Sequence, residues 1–192
     1  MNTNNPKLIL ISGPPAAGKT TLSKKIVERF ALPFFGSDAI KEIILDDLHW
    51  EKLSLETLDN IGKTSFELFY YVLESFFKSS AVFVAEANLH PRWANKRVKE
   101  LIMKNNVEVF YIYCKADMDV VKKRFIERAA LDSRHSGLRD KEKMKDNEFI
   151  ERVFDSNQPL EIGVDVFEFD TTDFEKINHE KLFEEIDNFL KK

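Results

Sequence analysis

Apolar residues along the chain follow two spacings in turn. Short continuous runs, such as 8–11 and 81–85, have the length and composition of strands covered on both faces. The segments between them carry apolar residues at the three- and four-residue spacing of a helix. Strands and helices that alternate in this way form a parallel sheet with helices on both faces, the α/β class. We therefore predict strands over 8–11, 33–36, 81–85, 107–114 and 164–169, and helices over 22–30, 40–48, 55–78, 118–130 and 174–190, with a further helix from Pro91.

The segment 131–148 departs from both spacings. It is almost wholly polar and includes Arg134, His135 and Arg139, so we expect a mobile excursion that lies outside the core. No repeat, low-complexity tract or linker interrupts the chain, and 192 residues fall within the range of one domain. We expect residues 1–192 to form a single domain.

Charge and cysteine content exclude some classes of protein. The chain has 29 Lys and Arg residues against 33 Asp and Glu residues, a net charge of −4, so it lacks an overall basic field for non-specific nucleic-acid binding. Cys114 is the only cysteine, which excludes an internal disulfide bond. The polar residues 1–5 lack a signal-peptide core, and no apolar stretch reaches the ~20 residues that span a bilayer. We expect a cytoplasmic protein without a membrane segment.

A phosphate-binding loop follows the first predicted strand. Residues 13–20 read Gly-Pro-Pro-Ala-Ala-Gly-Lys-Thr, a full match to GxxxxGK[ST]. A strand, a glycine-rich turn and a helix N-terminus in this order aim several backbone N–H groups at the β-phosphate of a nucleotide. Lys19 then reaches the β- and γ-phosphates, and the Thr20 hydroxyl ligates Mg²⁺. We predict an ATP site made of Gly13, Pro14, Pro15, Ala16, Ala17, Gly18, Lys19, Thr20 and Thr21.

With this loop and two further segments, the chain resembles the P-loop kinases. That group includes nucleoside monophosphate kinases, small-molecule kinases, antibiotic phosphotransferases, zeta-toxin-like kinases and the kinase domain of polynucleotide kinases. The further segments are 37–41, after the second predicted strand, and 124–139. The resemblance implies a five-stranded parallel sheet in the order 2-3-1-4-5, with a lid between the fourth and fifth strands that closes over ATP. It also implies that the phosphoryl acceptor binds beside the loop that follows the second strand.

The resemblance further implies that Asp38 is the catalytic base. In relatives that phosphorylate a hydroxyl, an Asp just after the second strand accepts the proton of the attacking hydroxyl. Phosphoryl transfer is mostly positioning and charge stabilisation, so an ordinary carboxylate suffices. The alternative is that Asp38 or Ser37 only caps the following helix. Lys41, one turn later, either holds a phosphate of the acceptor or pairs with Asp38, and a solvated surface lysine is an equal alternative.

Glu86 follows the third predicted strand, where many P-loop proteins carry an acidic residue that binds Mg²⁺ or positions a water. We place Glu86 with Thr20 at the metal, because a carboxylate there reaches the magnesium shell. The commoner residue at this place is Asp. A surface carboxylate without a function is the alternative.

Arginines cluster around the polar segment. Arg124 and Arg128 are four residues apart on one helix face, and Arg134 follows them. The resemblance implies that Arg124 stacks on the adenine, whereas Arg128 and Arg134 contact the phosphates. It also places Thr171, after the fifth strand, beside the adenine. The alternatives are a solvated charged face for the arginines and a helix cap at 172–173.

Two function classes agree with these residues. In the first, the chain is an ATP-dependent kinase that phosphorylates a hydroxyl of a small molecule or a nucleic-acid end. In the second, it is an ATPase or a nucleotide-dependent switch without a dedicated acceptor. A nucleic-acid end requires a basic groove, for which Arg92, Lys96, Arg97 and Lys99 are candidates, but the net charge disfavours it. We expect ATP, Mg²⁺ and a hydroxyl-bearing acceptor as ligands, a monomer or homodimer, and catalytic roles for Lys19, Asp38, Arg128 and Arg134.

Overall fold

The sheet has five parallel strands. The computed structural model describes residues 5–131, 134–155 and 158–192. The polar residues 1–4, on which the expectation about a signal peptide rests, lie outside this description. The strand order is β2-β3-β1-β4-β5, which confirms the order that the resemblance implied. The fifth strand begins two residues later than predicted. The strands are β1 (Lys7–Ser12), β2 (Phe34–Gly36), β3 (Val82–Glu86), β4 (Glu108–Lys115) and β5 (Val166–Asp170).

Helices follow the strands and cover both faces of the sheet. They are α1 (Lys19–Phe30), α2 (Ser37–Asp47), α3 (Leu55–Phe77), α4 (Pro91–Asn105), α5 (Met118–Ala129), α6 (Asp140–Lys143), α7 (Asn147–Ile150) and α8 (His179–Lys191). Among the described residues, none of these helices is both long and apolar enough to cross a membrane.

The central strand β1 is buried along its whole length, as its continuous apolar run requires. Successive side chains of β1 point to opposite faces, so this strand contributes to two separate cores. Leu8 and Leu10 pack with Phe69 of α3 and Val98 of α4. Ile9, on the other face, belongs to a cluster that includes residues of α1 and α8.

Two predictions about helix ends are wrong. The last helix begins at His179, because the Asn178 side chain accepts hydrogen bonds from the backbone N–H groups of residues 180 and 181; Phe174–Lys176 forms a separate 3₁₀ turn. The cap of α2 is Gly36, without a side-chain hydrogen bond, so neither Ser37 nor Asp38 caps this helix. The Asp38 carboxylate is therefore left for another partner.

The polar segment 131–148 is better anchored than its composition indicates. Leu138 is 2% exposed and packs with Leu45 and Leu58 in a small cluster between the segment and α2–α3. Met144 packs against a second cluster that contains Phe125. The expectation of a segment outside the core is therefore wrong for these two side chains. Residues 132 and 133 lie outside the described part.

The turn after β1 requires glycine at residue 13. Its φ is +141°, and a Cβ atom there would lie 2.2 Å from the carbonyl oxygen of Cys114. We expect Gly13→Ala to lower the free energy of unfolding by about 2 kcal/mol or more, because the loop would have to move away from β4. Chemical denaturation measures this change.

Gly62→Ala is a matched control in the same assay. Gly62 lies inside α3, and an added Cβ would meet its nearest atom at an ordinary 3.6 Å. We expect this variant to gain up to about 1 kcal/mol from helix propensity. Equal stability of Gly13→Ala and the unmodified chain would contradict the close approach of the loop to β4.

Candidate active site

A cleft of about 1070 Å³ opens at the carboxyl ends of the strands. In open α/β sheets this edge is where ligands bind, next to the point where the strand order reverses. The cleft brings together most of the predicted site. Its lining includes Pro15, Ala16, Gly18, Lys19, Thr20, Thr21, Asp38, Glu86, Arg124, Arg128 and Arg134.

The phosphate-binding loop is folded around its own lysine. Lys19 is 7% exposed, and its ammonium group donates to the carbonyl oxygens of Gly13 at 3.0 Å and Pro14 at 2.9 Å. Burial lowers the pKa of Lys19, although the charges of Glu86 and Asp38 act in the opposite direction. Gly18 adopts a left-handed conformation with φ 78° and caps α1. The positive end of α1 thus faces the cleft, as phosphate binding requires.

Thr20 and Glu86 meet although 66 residues separate them in the chain. The Thr20 hydroxyl donates to Glu86 Oε1 at 3.2 Å. The parallel register of β1 and β3 causes this contact, since Glu86 pairs with Ile11 just before the loop. Burial raises the pKa of Glu86, against the opposing charge of Lys19 and the hydrogen bond from Thr20.

This oxygen pair fits Mg²⁺. Magnesium keeps several waters and takes one or two protein oxygens together with substrate phosphates. Across the described ranges, no group of three or more His, Cys, Asp and Glu side chains that could hold a metal ion is found. A Mg²⁺ ion that arrives with the nucleotide would be held by Thr20 and Glu86, the two residues for which the sequence predicts this role.

Asp38 lies in the first turn of α2 and faces the cleft. Its carboxylate accepts a hydrogen bond from Arg134 Nη2 at 3.2 Å, and its side chain is 59% exposed. Burial would raise the pKa of this carboxyl, but the charges of Arg134 and Lys19 outweigh burial and hold the pKa below its usual range. Asp38 is thus an ionised, accessible carboxylate in the cleft that also contains Lys19.

Asp140 joins Arg128 and Arg134, the two arginines that are predicted to contact phosphates, although nothing in the sequence pointed to Asp140. Its Oδ2 atom accepts from Arg128 Nη2 at 3.1 Å and from Arg134 Nε at 2.7 Å, and its side chain is 5% exposed. Burial acts against the charged form of Arg134, but the hydrogen bond that Arg134 donates to Asp140 and the charge of Asp38 raise the pKa of Arg134. Nothing in the sequence singles out Asp140, because the segment 131–148 contains four further acidic residues among its lysines and arginines.

Arg128 keeps a donor for a ligand. Within the described residues its Nε is buried with no hydrogen-bond partner. Burial also lowers the pKa of Arg128. Because an unpaired buried N–H is costly, this group favours an oxygen-rich ligand in the cleft.

Arg124 lies over the ring of Phe174. The guanidinium carbon lies 3.7 Å from the ring centre, and the two terminal nitrogens donate to the carbonyl oxygens of Thr171 at 2.8 Å and Thr172 at 3.0 Å. A fixed planar guanidinium is suited to stacking on a base. Phe174 was missed as a site residue, because its apolar character fitted the start of the last predicted helix.

Thr171, which directly follows β5, contacts the phosphate-binding loop. Its hydroxyl lies within hydrogen-bond distance of the carbonyl oxygens of Ala17 at 3.2 Å and Lys115 at 3.1 Å, and the residue is 1% exposed. The side chain therefore connects β5 to the phosphate loop, and its backbone carbonyl orients Arg124. Gly13, Pro14 and Ala17 are buried in the same way and shape the loop from inside.

The candidate basic groove on α4 is partly neutralised. Arg97 forms a bidentate ion pair with Glu67, in which its Nη1 and Nη2 atoms lie 2.5 and 2.6 Å from the two carboxylate oxygens. Its guanidinium carbon lies over the Tyr70 ring, 4.2 Å from the ring centre. Lys96 lies 3.9 Å from Glu100. These pairs leave less free positive charge for a polynucleotide than the sequence indicated.

Comparisons with known proteins identify the family of this chain and its fold. A family model described as an AAA domain matches residues 8–148. The chain belongs to the AAA domain family. No curated protein sequence matches this AAA domain chain. The solved structures similar to it have the P-loop kinase fold, which confirms the expected group.

Three of these structures illustrate the likeness. A protein from Chloroflexus aurantiacus j-10-fl, provisionally described as a kinase, is 27% identical with a TM-score of 0.82, over 97% of this chain and 99% of that one. The Mycobacterium tuberculosis APS kinase, solved with AMPPNP and APS, is 11% identical with a TM-score of 0.60, over 98% and 99% of the two chains. A gluconokinase from Sinorhizobium meliloti 1021 is 15% identical with a TM-score of 0.54, over 94% and 91%.

The ion pairs of Asp140 predict how the AAA domain responds to nucleotide. We expect backbone amides of residues 134–147 to become more protected when AMPPNP binds, because the phosphates add partners for Arg128 and Arg134. In Asp140→Asn this gain should shrink, since the neutral side chain holds both arginines less firmly. Hydrogen exchange measures protection with and without AMPPNP.

Asp165→Asn is the control for that experiment, because Asp165 is exposed and lies outside the cleft. It should show the same nucleotide-dependent protection as the unmodified chain. Equal protection of 134–147 in the two nucleotide states of the unmodified chain would rule out a lid.

Proposed function

We propose that this AAA domain is an ATP-dependent phosphotransferase that moves the γ-phosphoryl group of ATP to a hydroxyl of a small molecule. The observation that carries the proposal is the Asp38 carboxylate, which is ionised, 59% exposed and in the same cleft as Lys19 and the Thr20–Glu86 pair. An enzyme that only hydrolyses ATP has no need of this second carboxylate beside the metal-binding one. A kinase needs it to orient the hydroxyl.

The nucleotide side of the cleft uses the loop and the arginines. Lys19 exchanges its two loop carbonyls for phosphate oxygens, and Arg128 and Arg134 offset the charge that develops on the transferred group. Arg124, held by Phe174 and two backbone carbonyls, stacks on the adenine. Mg²⁺, held with Thr20 and Glu86, would neutralise the β- and γ-phosphate oxygens.

The acceptor side of the cleft uses Asp38. The acceptor hydroxyl donates a hydrogen bond to its carboxylate, and the hydroxyl oxygen then attacks the γ-phosphorus. The new O–P bond forms as the bond to ADP breaks, and the proton passes to Asp38 late in the step. A lowered pKa suits this order, because a weak base orients the nucleophile without removing its proton early.

Two observations favour a small molecule over a nucleic-acid end as the acceptor. A gluconokinase and an APS kinase share the fold. Arg97 and Lys96, which would guide a polynucleotide, are paired with Glu67 and Glu100. A cytoplasmic location and a monomeric or homodimeric state accompany the proposal as expectations.

Exchange of two carboxylates for amides separates a kinase from a hydrolytic switch. In a kinase, Asp38→Asn should bind ATP normally but transfer phosphate at least about 10²-fold more slowly, because the amide takes no proton. ATP affinity, hydrolysis and transfer to a panel of sugars, nucleosides, aminoglycosides and 5′-hydroxyl oligonucleotides are measured together. Product mass identifies the acceptor.

Asp47→Asn is the matched control, because Asp47 is an exposed residue of the same helix outside the cleft. It should leave all three quantities unchanged. A switch ATPase would instead lose activity in Glu86→Gln and tolerate Asp38→Asn. Full transfer by Asp38→Asn would eliminate Asp38 as the base.

A further inference from the structure

The proposed nucleotide site gives no role to two lysines that line the cleft. Lys41 lies on α2 one turn after Asp38, and Lys143 ends α6 one turn after Asp140. Both side chains line the same cleft. Within residues 5–131, 134–155 and 158–192, neither ammonium group forms a hydrogen bond or an ion pair. The Lys143 nitrogen lies over the Phe149 ring, 5.6 Å from the ring centre.

Each of the two lysines lies one helical turn after a carboxylate that is bound by Arg134. Residues three apart on a helix share a face, which places Lys41 beside Asp38 and Lys143 beside Asp140. Arg134 bridges the two carboxylates, with hydrogen bonds of 3.2 Å to Asp38 and 2.7 Å to Asp140. The bridge brings the ends of α2 and α6 together around the proposed base.

The position of Lys41 is on the acceptor side of Asp38. A Cβ atom on Gly62 would lie 3.6 Å from its ammonium nitrogen, so this nitrogen lies against α3, which carries none of the phosphate-binding residues. Glycine inside a helix costs about 1 kcal/mol relative to alanine. At this place the missing side chain leaves space in front of the ammonium group.

The electrostatics of the pair favour an anion. Burial lowers the pKa of Lys41. Burial and then the charge of Lys41 lower the pKa of Lys143 to about 8, although Asp140 and Asp38 oppose this. Two like charges withdrawn from water repel each other, and a negative group between them relieves both costs.

We propose that Lys41 and Lys143 form an anion-binding site beside Asp38, so that the acceptor is a small hydroxyl compound that carries a carboxylate or phosphate group. This substrate class rests on the proposed phosphotransferase function, whereas the anion site itself does not. Lys19 and Arg128 serve the nucleotide phosphates, and these two lysines remain for the acceptor. The anion fixes the compound, and its hydroxyl then reaches Asp38.

Inorganic phosphate is the direct probe of this site. The full chain is first saturated with AMPPNP and Mg²⁺, so that the nucleotide loop is filled, and phosphate is then titrated by calorimetry. We expect one phosphate to bind. Lys41→Met and Lys143→Met should each weaken it about tenfold or more, because each removes a charged donor, whereas Lys143→Arg should retain it.

Lys141→Met is the matched control on α6, since Lys141 is exposed and lies outside this cleft. Thermal melting should show all variants folded, because methionine removes a poorly solvated charge and keeps the apolar stem. The site is refuted if no phosphate binds to the AMPPNP complex, or if both methionine variants bind phosphate as tightly as the unmodified chain. An equal loss of AMPPNP affinity would assign the lysines to the nucleotide and overturn the proposal.

Paired acceptors separate this inference from the proposed function. Glucose is compared with gluconate and glucose 6-phosphate, and nucleosides with their 5′-phosphates. We expect higher kcat/KM for the anionic member of a reactive pair, with KM about tenfold higher in Lys41→Met and Lys143→Met. Faster transfer to the neutral member would refute the substrate class and leave the phosphotransferase intact. Phosphate binding without transfer to any compound would instead refute the phosphotransferase.

Discussion

The whole site depends on the parallel pairing of β1 with two neighbours at once. β1 lies between β3 and β4, and its last residues are opposite Glu86 on one side and Tyr113 on the other. The phosphate loop therefore starts at a fixed position relative to the strand ends, where Gly13 lies close to the Cys114 carbonyl oxygen. This position allows Lys19 to donate to a loop carbonyl oxygen and Thr20 to donate to Glu86. A shift of one residue in either pairing would separate these groups.

The cleft balances its charges by sharing carboxylates. Asp140 accepts hydrogen bonds from two arginines. Arg134 in turn donates to Asp140 and Asp38 and forms an ion pair with a third carboxylate, Glu42, at 3.6 Å. In the proposed reaction, this sharing would keep Arg128 and Arg134 close to the transferred phosphate without an excess of buried positive charge. Two acids of the cleft have opposite pKa shifts. For Glu86, burial outweighs the charge of Lys19 and raises the pKa, whereas for Asp38 the charges of Arg134 and Lys19 together outweigh burial and lower the pKa.

The sequence predicted those parts of the site that lie within one short segment of the chain. The loop 13–20 is one continuous segment, and Glu86 follows a strand that is recognisable from its apolar run. Asp140 could not be found in this way, because its meaning depends on Arg128 and Arg134 folding back onto it. The Arg134–Asp38 contact joins residues 96 apart in the chain. Such pairs arise from tertiary packing, to which Leu138 contributes as an anchor that a mostly polar segment concealed.

Oxygen labelling tests most directly whether the phosphoryl group goes to a hydroxyl or to water. The chain is incubated with ATP, Mg²⁺ and the acceptor panel in ¹⁸O-enriched water, and the products are weighed by mass spectrometry. The account predicts that one acceptor gains the mass of one unlabelled phosphoryl group as ADP forms in equal amount. Stoichiometric inorganic phosphate carrying ¹⁸O, with every acceptor unchanged, would contradict it and show that water is the nucleophile.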